Sequence, residues 1–256
     1  MTSHSPQACC FSGFRHEGTP KGHFETIANV RAYIASPKDQ KPTHAVLLLS
    51  DVFGIYVNSQ LLADDFAASG YLVVLPDLLD GDAMDIGAFE AGQIDIPAWL
   101  SKHGSDTVDP IIDRIINHIR TYLSISKIGG AGYCFGGKGR ELSAFYVIRF
   151  LKASKLDAGY TAHPSFVTDE ELERIGKPLS ISAAEIDSIF TTELRHRSER
   201  ILAETSQRWQ INLFSGVTHG FAIRADLKVP QNKFAKEQAF LQSLGWFSST
   251  LGQPDV

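Results

Sequence analysis

Short, wholly apolar runs alternate along most of this chain with longer segments whose apolar residues recur every third or fourth position. Ala45 to Leu49 is continuous and apolar, as expected of a strand covered on both faces. Ser59 to Ser69 reads as a helix ending at Gly70, and Tyr71 to Leu75 as a strand stopped by Pro76. Val108, Ile111, Ile112, Ile115, Ile116, Ile119 and Leu123 form one strong face of a helix predicted over Asp106 to Leu123. A strand over Ile125 to Tyr133 and a helix over Gly137 to Ser154 follow. Further strands at Asp157 to Thr161, Pro178 to Ala183 and Gln210 to Phe214 alternate with helical patterns at Asp169 to Ile175, Thr191 to Ser206 and Lys233 to Leu251. His23 to Ala35 alternates enough to be an edge strand. Alternation of this length calls for right-handed crossovers, and so for an α/β fold with a mostly parallel central sheet and helices on both faces.

Two stretches break the pattern. Residues 1–22 are rich in Ser, His, Pro and Gly and read as an irregular arm, leaving residues 23–256 as a single α/β domain without internal repeat or linker. From Asp77 to His103, Gly81, Gly87, Gly92 and Pro97 interrupt a mixture of polar residues with Met84, Ile86, Phe89, Ile94, Ile96 and Trp99. That excursion is either a lid over a pocket or a cover for the core.

Bulk composition removes several function classes. A chain of 256 residues, 43% of them hydrophobic, can bury a large core. With 24 basic against 29 acidic residues, a net charge of -5 gives no footprint for nucleic acid. The densest basic run, Arg195 to Arg200, is punctuated by Glu199 and reads as a solvated helix face. No stretch approaches the roughly 20 apolar residues that cross a bilayer, and the N-terminus lacks a secretory core, so no membrane partner is expected and the chain reads as soluble and cytoplasmic. The three cysteines, Cys9, Cys10 and Cys134, exclude a disulfide framework and suit a reducing compartment. Cys9 and Cys10 have no second pair at metal-binding spacing, so they read as structural or as part of a mobile tail, and no metal is expected.

The stretch GGAGYCFGGKGR, residues 129–140, carries two competing motifs. Gly132 to Lys138 spells G-x-x-x-x-G-K, but residue 139 is glycine where a phosphate loop needs a hydroxyl for magnesium. The dinucleotide fingerprint fails as well, because Phe135 stands where its third glycine belongs. G-x-C-x-G around Cys134 fits its context better: a strand enters a sharp turn that starts a helix, and Gly132 and Gly136 leave room for a strained nucleophile. The helix N-terminus would favour a thiolate. On this reading Lys138 is an ordinary first-turn residue. Alone the motif is weak, since a free cysteine is more often a small core residue.

An elbow nucleophile requires an acid and then a histidine after later strands. Pro178 to Ala183 empties into AAEIDSIF, which offers Asp187 or Glu185; Asp187 is preferred because it lies farther past the strand. Gln210 to Phe214 empties into SGVTHGF, which offers His219 in a loop, where binding residues gather. His163 in YTAHPSF also follows a strand, but it precedes any usable acid, so a pocket-lining or structural role suits it.

The set SDVFG (50–54), GYCFGG (132–137), AAEIDSIF (183–190) and THGF (218–221) resembles the dienelactone hydrolases, over roughly residues 23–250. The opening QACCFSGFRHEGTPKG and AGYTAHPSF are similar to the eukaryotic, largely fungal, branch. The resemblance implies an α/β-hydrolase fold and a carboxymethylenebutenolidase-like ester hydrolase. It implies Cys134 as nucleophile, His219 as base and Asp187 as orienter, an oxyanion hole from the backbone N–H groups of Phe135 and Val52, and no cofactor. In the bacterial members a glutamate at the position of Asp51 helps control the cysteine, and the shorter Asp51 departs from that. Those enzymes also hold the carboxylate of a small lactone with two arginines. Arg224 is a candidate for one, but no arginine lies between Arg31 and Arg114 to supply the other. A bulkier or neutral ester, lactone or thioester is the expected substrate. A non-hydrolytic isomerase, dehydratase or cyclase, or a small-molecule receptor on the same fold, stays open. A homodimer through a sheet edge or the C-terminal helix is compatible with the sequence.

Overall fold

The computed structural model describes residues 17–38, 41–134, 145–165 and 167–254. Cys9, Cys10, Phe135, Gly136, Lys138 and residues 137–144 of the expected helix lie outside them. The strands are β1 (His23–Ile27), β2 (Val30–Ala35), β3 (His44–Leu49), β4 (Leu72–Pro76), β5 (Lys127–Tyr133), β6 (Ala158–Ala162), β7 (Leu179–Ile186) and β8 (Trp209–Thr218). They form one sheet in the order β1-β2-β4-β3-β5-β6-β7-β8. β1, β2 and β4 pair antiparallel in turn, and every pairing from β4 onward is parallel. The helices are α1 (Val57–Ala68), α2 (Ile86–Glu90), α3 (Ile96–Leu100), α4 (Ser105–Thr121), α5 (Phe145–Lys152), α6 (Asp169–Glu173), α7 (Thr192–Ala203), α8 (Phe221–Arg224) and α9 (Pro230–Leu251).

The continuous apolar runs arise because both sheet faces are covered. In β3, Ala45, Leu47 and Leu49 pack on one face with Val108, Ile112, Ile115 and Ile119 of α4. Val46 and Leu48 point to the other face, toward Leu62 and Phe66 of α1 and Trp246 and Phe247 of α9. Helix α4 forms despite Pro110 in its interior. Proline there costs about 3 kcal/mol, whereas each fully buried aliphatic side chain contributes roughly 1.5–3 kcal/mol. With Val108, Ile112, Ile115 and Ile119 all at 0% exposure, the buried face wins.

Gly129 and Gly130 serve this packing rather than any ligand. A Cβ on Gly129 would stand 2.8 Å from the Phe247 ring, and one on Gly130 2.5 Å from a Leu156 methyl, so the bare backbone of β5 admits a neighbour on each side.

Two expectations are revised. His23 to Ala35 is a hairpin, not one strand, because Ala28 (φ 50°) and Asn29 (φ 60°) take left-handed conformations and reverse the chain. The excursion after β4 contains α2 and α3, started by Asp85 and Asp95, whose carboxylates accept the Ala88 and Ala98 N–H groups. Leu79, Met84, Phe89, Trp99 and Leu100 are buried in the core on the α4 face, and the Met84 N–H bonds the Val52 carbonyl at 3.0 Å. The segment thus packs as core cover and also braces the loop after β3. Among the described residues, no helix is long and apolar enough to cross a membrane.

Candidate active site

Parallel neighbours bring their C-terminal ends to one rim of the sheet, where ligand-binding loops of such folds gather. Cys134 directly follows β5, His163 follows β6, Asp187 follows β7 and His219 follows β8, while Asp51 lies just past β3. Residues up to 173 positions apart therefore meet. Cys134 sits at φ 53° and His163 at φ 41°, in the left-handed region that a residue bearing a Cβ adopts only under constraint.

His219 Nδ1 lies 2.9 Å from Asp187 Oδ2, and its Nε2 lies 3.2 Å from Cys134 Sγ. An ionised carboxylate only accepts, so Nδ1 carries a proton. The other carboxylate oxygen of Asp187 accepts the Ile189 and Phe190 N–H groups at 2.8 and 3.0 Å, which locks its orientation. Glu185 is turned away: its carboxylate accepts the Gly216 N–H at 2.7 Å on the protein surface. An irregularity in the pairing of β7 with β8, between Ala184 and Ile186, separates the two acids: Glu185 lies within it, and Asp187 begins the turn after the strand.

Arg224 occupies the other flank of the sulfur. Its Nη1 donates to Asp51 Oδ2 at 2.7 Å and its Nη2 to Cys134 Sγ at 3.3 Å. The short helix α8 carries Arg224 back to the site, and Gly220, at φ 90°, makes room: a Cβ there would stand 2.8 Å from Arg224 Nε. Asp51 accepts two further bonds, from the Phe53 N–H and the Tyr56 hydroxyl, both at 3.1 Å. Asp51 thus makes its hydrogen-bonded link to the sulfur through Arg224, while its own charge acts on the thiol in the raising direction. Tyr56 was not identifiable from the sequence, because a tyrosine at the start of a helix reads as a core residue. Val52 is fully buried in the loop between Asp51 and Phe53.

Burial alone would push the Cys134 thiol up, but the Arg224 guanidinium and then His219 bring it below its ordinary value. Burial would lower His219, and the charges of Asp187 and Cys134 instead raise it to about 9. Burial likewise raises Asp187, and the His219 charge more than reverses this. The arrangement therefore favours a thiolate–imidazolium pair. His219 contributes stability that is complete below pH 6.5 and lost as pH rises through about 9. Asp187 contributes above its ordinary 3.8, and that contribution is lost as pH falls through its lower folded value. Labelling of Cys134 by iodoacetamide should accordingly reach half its maximal rate below pH 9.0, the ordinary thiol value. A midpoint at or above that value, followed by peptide mapping of the label, would overturn the assignment.

His163 is fully buried, and its ring centroid lies 4.9 Å from that of His219 at 63°. Donor atoms of Cys134, His163 and His219 all lie within 4.8 Å of one another. Such a sulfur–nitrogen set matches the chemistry of zinc. Both nitrogens of His219 are already engaged, however, so an ion there would break the bond between imidazole and thiol.

The fold and these contacts can be compared with known proteins. A model of the "Dienelactone hydrolase family" matches residues 30–251. "Hydrolase pyvD" of Aspergillus violaceofuscus is 44% identical over 252 residues, covering 98% of this chain and 99% of that protein. "Dienlactone hydrolase 1" of Gibberella moniliformis is 33% identical, covering 96% of this chain and 94% of its own. Among solved structures, a putative dienelactone hydrolase from Klebsiella pneumoniae superposes with a TM-score of 0.71 at 16% identity, over 89% of this chain and 98% of that one, which is a likeness of fold.

Proposed function

We propose that this chain, which belongs to the dienelactone hydrolase family, hydrolyses a carboxylic ester, lactone or thioester in the cytoplasm through an acyl group carried on Cys134. The observation that supports this most is the unbroken chain of contacts from Asp187 through His219 to Cys134, at 2.9 and 3.2 Å.

In the first step the Cys134 thiolate attacks the carbonyl carbon, and the C=O electrons move onto oxygen. The N–H groups of Phe135, outside the described residues, and Val52 are the donors assigned to that oxyanion. As the tetrahedral species collapses, the imidazolium of His219 gives its Nε2 proton to the departing oxygen or sulfur, and the acyl–thioester remains. His219, now neutral, takes a proton from water while that water attacks the thioester carbonyl. The acid leaves, and Cys134 returns as thiolate beside an imidazolium. Asp187 keeps the proton on Nδ1 throughout, so Nε2 always faces the sulfur.

The environment of Arg224 bears on the substrate. Its guanidinium is buried and already donates to the Asp51 carboxylate, which offsets its charge, and to the sulfur. This supports a neutral acyl donor rather than a small anionic lactone. Acid quenching during turnover of an aryl thioester should give intact protein heavier by one acyl group, mapped to Cys134, and products that gain one water. Products of unchanged mass would favour an isomerase, and products lighter by one water a dehydratase. Turnover without an adduct in wild type, and undiminished in Cys134→Ala, would reject the cysteine route.

A further inference from the structure

The reading above uses Cys134, His219, Asp187 and Arg224, and leaves His163 idle. His163 is 0% exposed, yet neither Nδ1 nor Nε2 has a hydrogen-bond partner. Its backbone is tied down, with the N–H donating to the Ser182 carbonyl at 2.8 Å, and its ring is wedged edge-on against His219 and Phe221. It also holds φ 41° immediately before Pro164, where the backbone is doubly restricted. A purely structural residue here would be served by phenylalanine, which leaves no polar atom unpaired. Two buried orphan nitrogens in a strained, fixed ring instead mark a place where a partner arrives from outside.

From these contacts we infer that His163 recognises the acyl part of the substrate: it hydrogen-bonds a hydroxyl one or two carbons from the reacting carbonyl. The inference rests on the hydrolase reading of the site. Burial, together with the neighbouring cations His219 and Arg224, keeps the imidazole neutral. A neutral imidazole has one N–H donor and one bare acceptor nitrogen, and a hydroxyl is the small group that can answer either one. A carboxylate would only accept and an ammonium only donate. A nitrogen of His163 also lies within 4.8 Å of both the sulfur and a His219 nitrogen. Once the acyl carbon is bonded to Sγ, a substituent on the adjacent carbon falls within hydrogen-bonding reach of that nitrogen. The substrate class is therefore a neutral 2- or 3-hydroxyacyl ester, lactone or thioester, enols and phenols included.

The test compares the S-phenyl thioesters of lactic acid and propionic acid, which differ by one hydroxyl. Wild type should prefer the hydroxylated thioester in kcat/KM by about tenfold or more. His163→Phe should bring that ratio close to one, and His163→Gln, which keeps a donor and an acceptor, should retain part of it. Each variant is checked for folding by circular dichroism, and the glutamine variant carries the test if the phenylalanine variant does not fold. A wild-type ratio near one, or a ratio that both variants leave unchanged, overturns the inference. If wild type cleaves neither thioester, the hydrolase reading fails. His163 is then judged separately by protection: lactamide, but not propionamide, should slow iodoacetamide labelling of Cys134 in wild type and not in His163→Phe. Equal protection by both amides overturns the assignment.

Discussion

Replacing His219 with alanine is expected to lower kcat on a cleavable ester or thioester by on the order of 10⁵, and replacing Cys134 with alanine by about as much. The double variant should fall little further than either single one. The reason lies in the geometry: Nε2 of His219 is 3.2 Å from the sulfur and acts only on a group bonded there, so removing either partner disables the same sequence of proton transfers. Asp187→Asn should cost on the order of 10⁴, because the amide presents an N–H toward Nδ1 and favours the wrong tautomer. Steady-state kinetics of the three single variants and the double variant decide this. If the losses of the two alanine variants multiply, Cys134 and His219 act independently, and the proposed mechanism is wrong.

Arg224→Met should damage two properties that can be read separately. The Asp51–Arg224 pair is nearly sealed from solvent, with side chains 0% and 2% exposed, so removing the guanidinium leaves a buried carboxylate unpaired. Breaking such a pair costs about 3–5 kcal/mol, visible as a lower denaturant midpoint. The thiol also loses the charge that most depresses it, so the midpoint of its alkylation profile should move to higher pH. Adding Asp51→Asn to Arg224→Met should recover much of the stability, since no buried charge is then left alone, but not the thiol shift. Recovery of both together would mean that Asp51, rather than Arg224, sets the ionisation of the sulfur.

The strands and helices of the parallel region were legible because burial on both faces leaves unmistakable runs such as Ala45 to Leu49. The place of Cys134 at the end of β5 was legible because strand, glycine and cysteine stand next to one another in the chain. What escaped lacks a periodic or local signal. The hairpin after Ile27 turns on Ala28 and Asn29 without a glycine. β7 and β8 extend beyond their apolar runs, to Ile186 and Thr218, through partly exposed positions. Helix α8 spans only four residues, too few for a period to register. The contact between Asp51 and Arg224 joins positions 173 apart, and only the sheet order, which sets β3 beside β5 and β8 further along the same rim, brings them near. Helices α2 and α3 escaped as well, five residues each, although Asp85 and Asp95 stand directly before Ile86 and Ile96 and cap them.

The left-handed conformations of Cys134 and His163 fall at the ends of adjacent strands β5 and β6. Each such residue carries roughly 1–2 kcal/mol that an ordinary backbone would not. On the proposed reading both residues face the substrate, so the load falls where the reaction takes place. A lineage drifting under demand for thermal robustness alone would relax these two corners first and become a sturdier, inert protein. On that reading, retaining them is a compromise between endurance and reactivity.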